Sequence, residues 1–355
     1  MAKPDLSPSQ VQQELHACID NFDALHALLQ RITPAFVATD APKWLTDAVA
    51  QLAHRLVETG KTHTQWEQAV RAIFRCFQSI LSDRDPSPTS RQRIVLRIAN
   101  ILFKLYFRLD QIRLCETISR NVVASGVVFT NYSRADRVAY RYYLGRYHLS
   151  QQQFRRSRAH LDWAFRHCSM KHEHNRRLIL VYLTVASLPL GLFPGAALLQ
   201  ACSLEPVFGP LVRALIKGDY GGFHRHLREQ QQVFDGYGIT LFLESRCDMV
   251  LYRSLLRRTV LLTLTGTTAQ KTPHVQLATL QRAIQFATAD ELPWDLDDTE
   301  HLCVSLIDLG FVKGYVHHER KLLVLDKKTL GFPPLAAVRQ IELPGDDDER
   351  QFGGS

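Results

Sequence analysis

The residues best suited to chemistry lie in "GFVKGYVHHERKLLVLDKK", which runs from Gly310 to Lys328. His317 and His318 are adjacent, and neighbouring side chains of an extended chain point to opposite faces. Two adjacent histidines rarely make a metal site without a third ligand, so the pair reads as the tip of an exposed turn. An imidazole there can still touch a phosphate or a ribose. The same stretch carries Lys313, Arg320, Lys321, Lys327 and Lys328. Mobile cations on an exposed edge suit phosphate contacts; lysines also keep an unpaired strand edge soluble.

A second basic group lies upstream. Arg246, Arg253 and Arg257 fall at relative positions 0, 7 and 11, within roughly 20° of one line on a helix. Arg258 extends that edge, and Leu251, Leu255 and Leu262 are expected on the opposite side. The stripe could track phosphates or pair with acidic residues of the preceding repeat. A third group, Arg134, Arg137, Arg141, Arg146, Arg155, Arg156 and Arg158 with Arg176 and Arg177, crowds residues 134–177. Of these, Arg155, Arg156, Arg158, Arg176 and Arg177 are candidates for holding an acidic partner. Helical spacing spreads the group over more than one face.

Enzyme signatures are missing from the sequence: there is no GxxxxGK(S/T), GxSxG or HExxH. "HEH" at 172–174 lacks the Ser and Asp of a deubiquitinating metalloprotease motif. "DLDD" at 295–298 has carboxylates without a glycine-turned loop, and helix capping accounts for it. The seven cysteines, Cys18, Cys76, Cys115, Cys168, Cys202, Cys247 and Cys303, are too far apart for a CxxC pair and read as reduced, mostly buried thiols. The expectation is a non-catalytic protein with no metal and no cofactor. The best apolar run, "RLILVYLTVASLPLGLF", is interrupted by Pro189 and Gly191, and "MAKPDLSPSQ" is no secretory signal, so an intracellular protein without a membrane span is expected.

Helices must position these groups. "SPSQVQQELHACIDNFDALHALLQRI" starts with Ser-Pro and places Val11, Leu15, Cys18, Ile19, Phe22, Leu25, Leu28 and Leu29 at helical spacing. "WEQAVRAIFRCFQSIL" and "RQRIVLRIANILFKLYFRL" repeat the pattern, and "SDRDPSPTS" between them is a loop. In "YYLGRYHLSQQQFRRSRAHLDWAF", Leu144, Gly145, Phe154, Ser157, Leu161 and Ala164 have the spacing of a tetratricopeptide-like hairpin. No strand-like alternation occurs before residue 310. "GITLFLESRCDMVLYRSLLRRTVLLTL" (238–264) predicts one long helix, "HVQLATLQRAIQFA" a shorter one, and 297–309 a helix in the place of a recognition helix, with Leu302, Leu306 and Leu309 inward. Its other face shows Glu300, His301, Ser305 and Asp308, which makes it a poor reader of a major groove. "FVKGYV", the turn "HHER" and "KLLVL" predict a two-stranded wing.

The expected fold is all-α: a right-handed TPR-like helical-repeat scaffold ending in a winged-helix subdomain. The expected divisions are 1–129 (N-terminal helical repeats), 130–238 (TPR-like part), 239–335 (linking helix and winged helix) and 336–355 (acidic flexible tail). Charge follows them: 15 basic and 12 acidic side chains in 1–129, 26 and 18 in 130–335, and 2 and 5 in 336–355. A basic centre with an acidic end points to a polyanion or an acidic protein as partner, or to solvated helix faces.

The ordered set "YYLGRYHL", "AHLDWAFRHC", "NRRLILVYL", "LGLFPGAALL", "FGPLVRALIKGDYGGFHRHL", "LYRSLLRR", "LGFVKGYVHHERKLLVL" and "FPPL" resembles the PCI-domain-containing protein two family over about residues 130–335. Ser254 departs from the asparagine usual in that family. The resemblance implies a non-enzymatic subunit of a trimer, the second transcription–export complex, which couples transcription to messenger RNA export. Its partners would be a long helical scaffold subunit, a small acidic disordered protein shared with the proteasome lid, and nucleic acid bound with weak sequence specificity. The location implied is the nucleus, including nuclear pores, with the cytoplasm also open. A purely architectural PCI subunit of a signalosome-, lid- or initiation-type assembly is the competing reading.

Overall fold

A computed structural model of the chain describes residues 7–18, 20–38, 42–83, 90–264, 273–288 and 294–338. Among them are sixteen α-helices and one small sheet. Contacts group the chain into two compact units. The first holds the described residues up to Gln151 together with Ala159–Cys168; the second holds Gln152–Arg158 and the described residues from Ser169 on. The expected tail lies outside the described residues beyond Val338, as do most of the loop at 84–89 and Ile19.

The first unit is built from α1 (Pro8–Ala17), α2 (Phe22–Val37), α3 (Leu45–Thr59), α4 (His63–Ser82), α5 (Val95–Arg108), α6 (Leu114–Ala124), α7 (Arg134–Ser150) and the later turns of α8 (Phe154–His167). The stretch at 7–32 breaks in two because the Asn21 side chain accepts a hydrogen bond from the Ala24 amide and restarts the helix. Thr62 and Gln65 form a reciprocal capping box at α4. The apolar stripe of α2 (Leu25, Leu29, Ile32, Phe36) is buried against α3 and α4, and α5 packs on α3, α4, α6 and α7. Phe103 lies 5.6 Å from the fully buried Tyr140, centroid to centroid. Leu144, Gly145, Phe154, Ser157, Leu161 and Ala164, the hairpin positions, are all buried.

The second unit continues through α9 (Glu173–Ser187), α10 (Ala196–Ala201), α11 (Glu205–Lys217), α12 (Tyr220–Glu229), α13 (Gln231–Tyr237) and the 25-residue α14 (Thr240–Leu264). Gly218 ends α11 at φ +70°, where a side chain would also run into the Leu255 backbone, so α11 and α14 meet closely there.

After α14 the order is β1 (His274–Gln276), α15 (Leu277–Ala287), α16 (Leu296–Asp308), β2 (Gly314–His317) and β3 (Leu322–Leu325). The sheet order β1-β3-β2 is antiparallel throughout, with Val275 opposite Leu323 and Tyr315 opposite Val324. Helices followed by a hairpin that a preceding strand joins make a winged helix. The fold is thus all-α helical repeat with a winged-helix end, as expected. Two details are corrected. The wing sheet has three strands rather than two, and a strand does precede residue 310. Residues 274–276 were read as the start of a helix because three residues are too few for alternation to register; pairing with β3 makes them a strand.

Candidate functional site

The sequence-predicted cations fall into three settings. On α14, Arg246, Arg257 and Arg258 are exposed. Arg253, expected on the same exposed line, is 8% exposed. Its Nη2 donates to the Pro333 carbonyl at 2.7 Å and its guanidinium lies 5.7 Å from the Phe332 ring centre. Burial, then the repulsion of Arg257, pushes its pKa down to about 10, so it stays charged at neutral pH. Arg253 is therefore no part of a surface stripe. Val250–Ser254 are all buried: α14 is covered on every side in this turn, and a single polar line cannot stay exposed. Leu262, expected inward, is 67% exposed.

The wing is the second setting. The turn lies one residue later than "HHER" (317–320): His317 ends β2, the turn spans His318–Lys321, and Lys321, expected in the strand "KLLVL", closes it at φ +49°. Lys321 Nζ donates to Glu300 Oε2 at 2.9 Å and to Asp297 Oδ1 at 3.3 Å. His318 Nδ1 lies 2.6 Å from Glu300 Oε1. The polar face of α16 thus clasps the wing turn. Hydrogen bonds from Lys321 and then His318 hold the Glu300 carboxyl below the usual carboxylate range, and Glu300 in turn raises the Lys321 ammonium. The Leu277 amide donates to the Lys321 carbonyl at 2.9 Å, tying the start of α15 to the same turn.

Lys321 and His318 are accordingly partnered within the fold, whereas Arg320 at the tip is exposed and His317 half-buried. Lys313, Lys327 and Lys328 are exposed at the other end of the hairpin, four strand residues or about 13 Å away. The exposed cations of the wing are split between its two ends.

Helix α16 starts with Asp295 Oδ1 accepting from the Asp298 amide at 2.7 Å and Asp298 Oδ2 accepting from the Asp295 amide at 3.2 Å. That capping box is the use of "DLDD". Leu302, Cys303 and Leu306 are buried, and Leu309 is half-buried. Glu300 and Asp297 are the residues that sequence reasoning missed as partners of the wing. They lie 21 and 24 positions from Lys321, and no local pattern connects them.

The third setting is the 155–177 group. Arg155 Nη2 donates to the Val338 carbonyl at 2.8 Å. Arg156, Arg158, Arg176 and Arg177 are half-buried. His172 stands at the start of α9, and among the described residues no cluster of three His, Cys, Asp or Glu side chains could hold a metal. The cysteines form no disulfide among the described residues, and burial pushes the Cys115 and Cys303 thiols up to about 12, leaving them protonated and unreactive. No helix among the described residues is long and apolar enough to cross a membrane.

Comparison with known proteins places these features. No family model matches the chain. It is 41% identical over 288 residues to a PCI domain-containing protein of Schizosaccharomyces pombe, a match covering 80% of this chain and 64% of that protein. PCI domain-containing protein 2 of Xenopus laevis is 30% identical over 280 residues, 79% of this chain and 67% of the relative. Enhanced ethylene response protein 5 of Arabidopsis thaliana is 29% identical over 281 residues, 79% and 65% respectively. The chain thus spans less than two thirds of the fission-yeast relative's length.

Proposed function

The chain belongs to the PCI domain-containing protein 2 family, and we propose that it is a non-catalytic complex subunit whose winged helix binds nucleic acid through the backbone. The observation that carries this reading is the set of exposed cations on the wing and α14: Lys313, Arg320, Lys327, Lys328, Arg246, Arg257 and Arg258. The recognition-helix position supports a backbone-driven mode. Its polar face holds Glu300, His301 and Asp308, and Glu300 is engaged with the wing, so it offers little to base edges. The setting we propose is a transcription-coupled messenger RNA export complex in the nucleus and at nuclear pores. A long helical scaffold subunit and a small acidic protein would be its partners.

The test is fluorescence anisotropy with single-stranded RNA and duplex DNA across a salt series. Affinity should fall steeply with salt, with little dependence on sequence. Charge reversal of Lys313, Arg320, Lys327 and Lys328 together should weaken binding by at least about tenfold. Unchanged affinity in that variant would remove the wing from the interface.

A second reading has its own observation. Strand β2 is an outer strand of the sheet, and Tyr315 on it is 60% exposed, with Val304 on α16 at 49% and Phe286 on α15 at 89%. An outer strand beside exposed apolar side chains suits a purely architectural subunit that docks against another protein. Negligible nucleic acid affinity near physiological salt, with self-association of the isolated chain, would favour it.

A further inference from the structure

The three strands of the wing sheet turn one face to the core and the other outward. Val275, Leu323 and Leu325 point inward and are buried. Side chains alternate along each strand, so the residues between them face out. The register sets these in two cross-strand rows: His274, Val324 and Tyr315 in the first, Gln276, Leu322 and His317 in the second. The central strand gives the face a half-buried apolar strip, Val324 and Leu322, and the outer strands flank it with rings and polar groups. Tyr315 is 60% exposed, His274 and Gln276 are exposed, and His317 is half-buried.

Tyr315 and His317 stand two residues apart on β2, which sets their backbones about 7 Å apart with both rings on this face. The Arg320 amide donates to His317 Nδ1 at 3.4 Å, which orients the imidazole and leaves Nε2 to carry the proton of the neutral ring. Lys313, two residues before Tyr315, falls on the same side, and Lys327 and Lys328 are exposed at that end of the hairpin. The acid of that end, Asp326, is occupied: its Oδ2 accepts from the Thr329 amide at 3.1 Å and from the Thr329 hydroxyl at 3.0 Å. Rings on a sheet face take the flat sides of unpaired bases, and ammonium groups beside them take the phosphates that follow.

We propose that this face is a stacking platform for the unpaired bases of single-stranded nucleic acid. Tyr315 is its principal ring, His317 its second, and the lysines at the Tyr315 end meet the phosphates. The proposal rests on the nucleic acid reading above and adds what that reading leaves open: strandedness, and a side chain that touches bases. A duplex keeps its bases stacked on one another and offers a sheet face only its phosphates. An extended single strand offers a π-face at every nucleotide, whatever the base, in keeping with weak sequence dependence. A protein docked on this face would have to bury Gln276, His317 and Lys313 around one phenol, which is costly unless each finds a partner.

The test titrates the full chain against labelled oligouridine and oligothymidine of about a dozen nucleotides, and against a duplex of the same length, by anisotropy at low salt. Both single strands should bind more tightly than the duplex. Tyr315→Ala should weaken single-strand binding at least about fivefold and leave duplex binding unchanged. Tyr315→Phe should bind as the parent chain does, and His317→Ala should lose about two- to threefold. Tyr315→Ile keeps a β-branched strand residue without the flat ring, should show the same loss, and keeps the test decisive if Tyr315→Ala melts early. The proposal is overturned by equal losses toward single strand and duplex, by no loss in either of these variants, or by a loss that phenylalanine does not rescue. If reversal of Lys313, Arg320, Lys327 and Lys328 weakens binding while the Tyr315 variants do not, the nucleic acid reading stands and the platform falls. If the parent chain binds none of the three probes, both fall. Tyr315 variants that abolish self-association of the chain without touching oligonucleotide affinity would give the face to a protein.

Discussion

Arginines serve differently in the two units. In the first, they close helix ends. Arg91 Nη1 donates to the Phe36 carbonyl near the end of α2 at 2.7 Å, Arg108 Nη1 to Val57 near the end of α3 at 2.8 Å, and Arg134 Nε to His167 at the end of α8 at 2.6 Å. Each sets a cation where helix carbonyls lack partners and the dipole is negative. In the second unit, Arg253 and Arg155 hold the chain that follows the wing, through the carbonyls of Pro333 and Val338. The comparison shows that a basic composition overstates the charge left for partners. Part of it is used inside the fold, and the cations left exposed include those of the wing and the outer side of α14.

The largest expected effect belongs to the helix-closing set. Arg91 also donates to Ser79 Oγ at 3.0 Å and pairs with Asp83. Arg91→Leu should lower global stability by about 2–3 kcal/mol in urea denaturation, because several charge-assisted bonds go at once and buried acceptors are left unpaired. A loss within experimental error would show that closing helix ends is not what this arginine does. Arg253→Leu should cost less, about 1–2 kcal/mol, since removing a buried charge recovers part of its desolvation. Its signature is local: protease cleavage around 330–338 should accelerate before the rest of the chain opens. Cleavage spread evenly over both units would break the distinction drawn here.

The sequence disclosed what is local. The long α14, the hairpin turn, the apolar stripes of α2 and α5 and the aspartate cap of α16 follow from periodicity and from neighbours within four residues. It hid what depends on distant pairing. Strand β1 exists because His274–Gln276 meet β3, some fifty positions on. Arg253 shares a helical angle with Arg257, yet the turn around it is enclosed, and no spacing rule reports that. Lys321 looked like a free cation until Glu300 stood beside it.

The smallest effect tests the clasp at the wing turn, and it has a defined pH signature. The folded Glu300 carboxyl lies below its usual value, so its contribution is present above about pH 4.3 and is lost as pH falls through the lowered value. Lys321 is raised, so its contribution is complete below its usual value of about 10.4 and disappears only as pH rises through the folded one. Glu300→Gln should therefore melt slightly below the parent chain at pH 7, with the gap closing in acid below about pH 4. A gap that persists unchanged at pH 3 would mean that the carboxylate's charge is not what holds the turn. The same variant frees Lys321 and removes a negative charge from the nucleic-acid-facing candidate surface, so RNA affinity should tighten about two- to fivefold at low salt. If affinity instead falls, the clasp is needed to present the wing, and the tip and the base of the hairpin act as one surface rather than two.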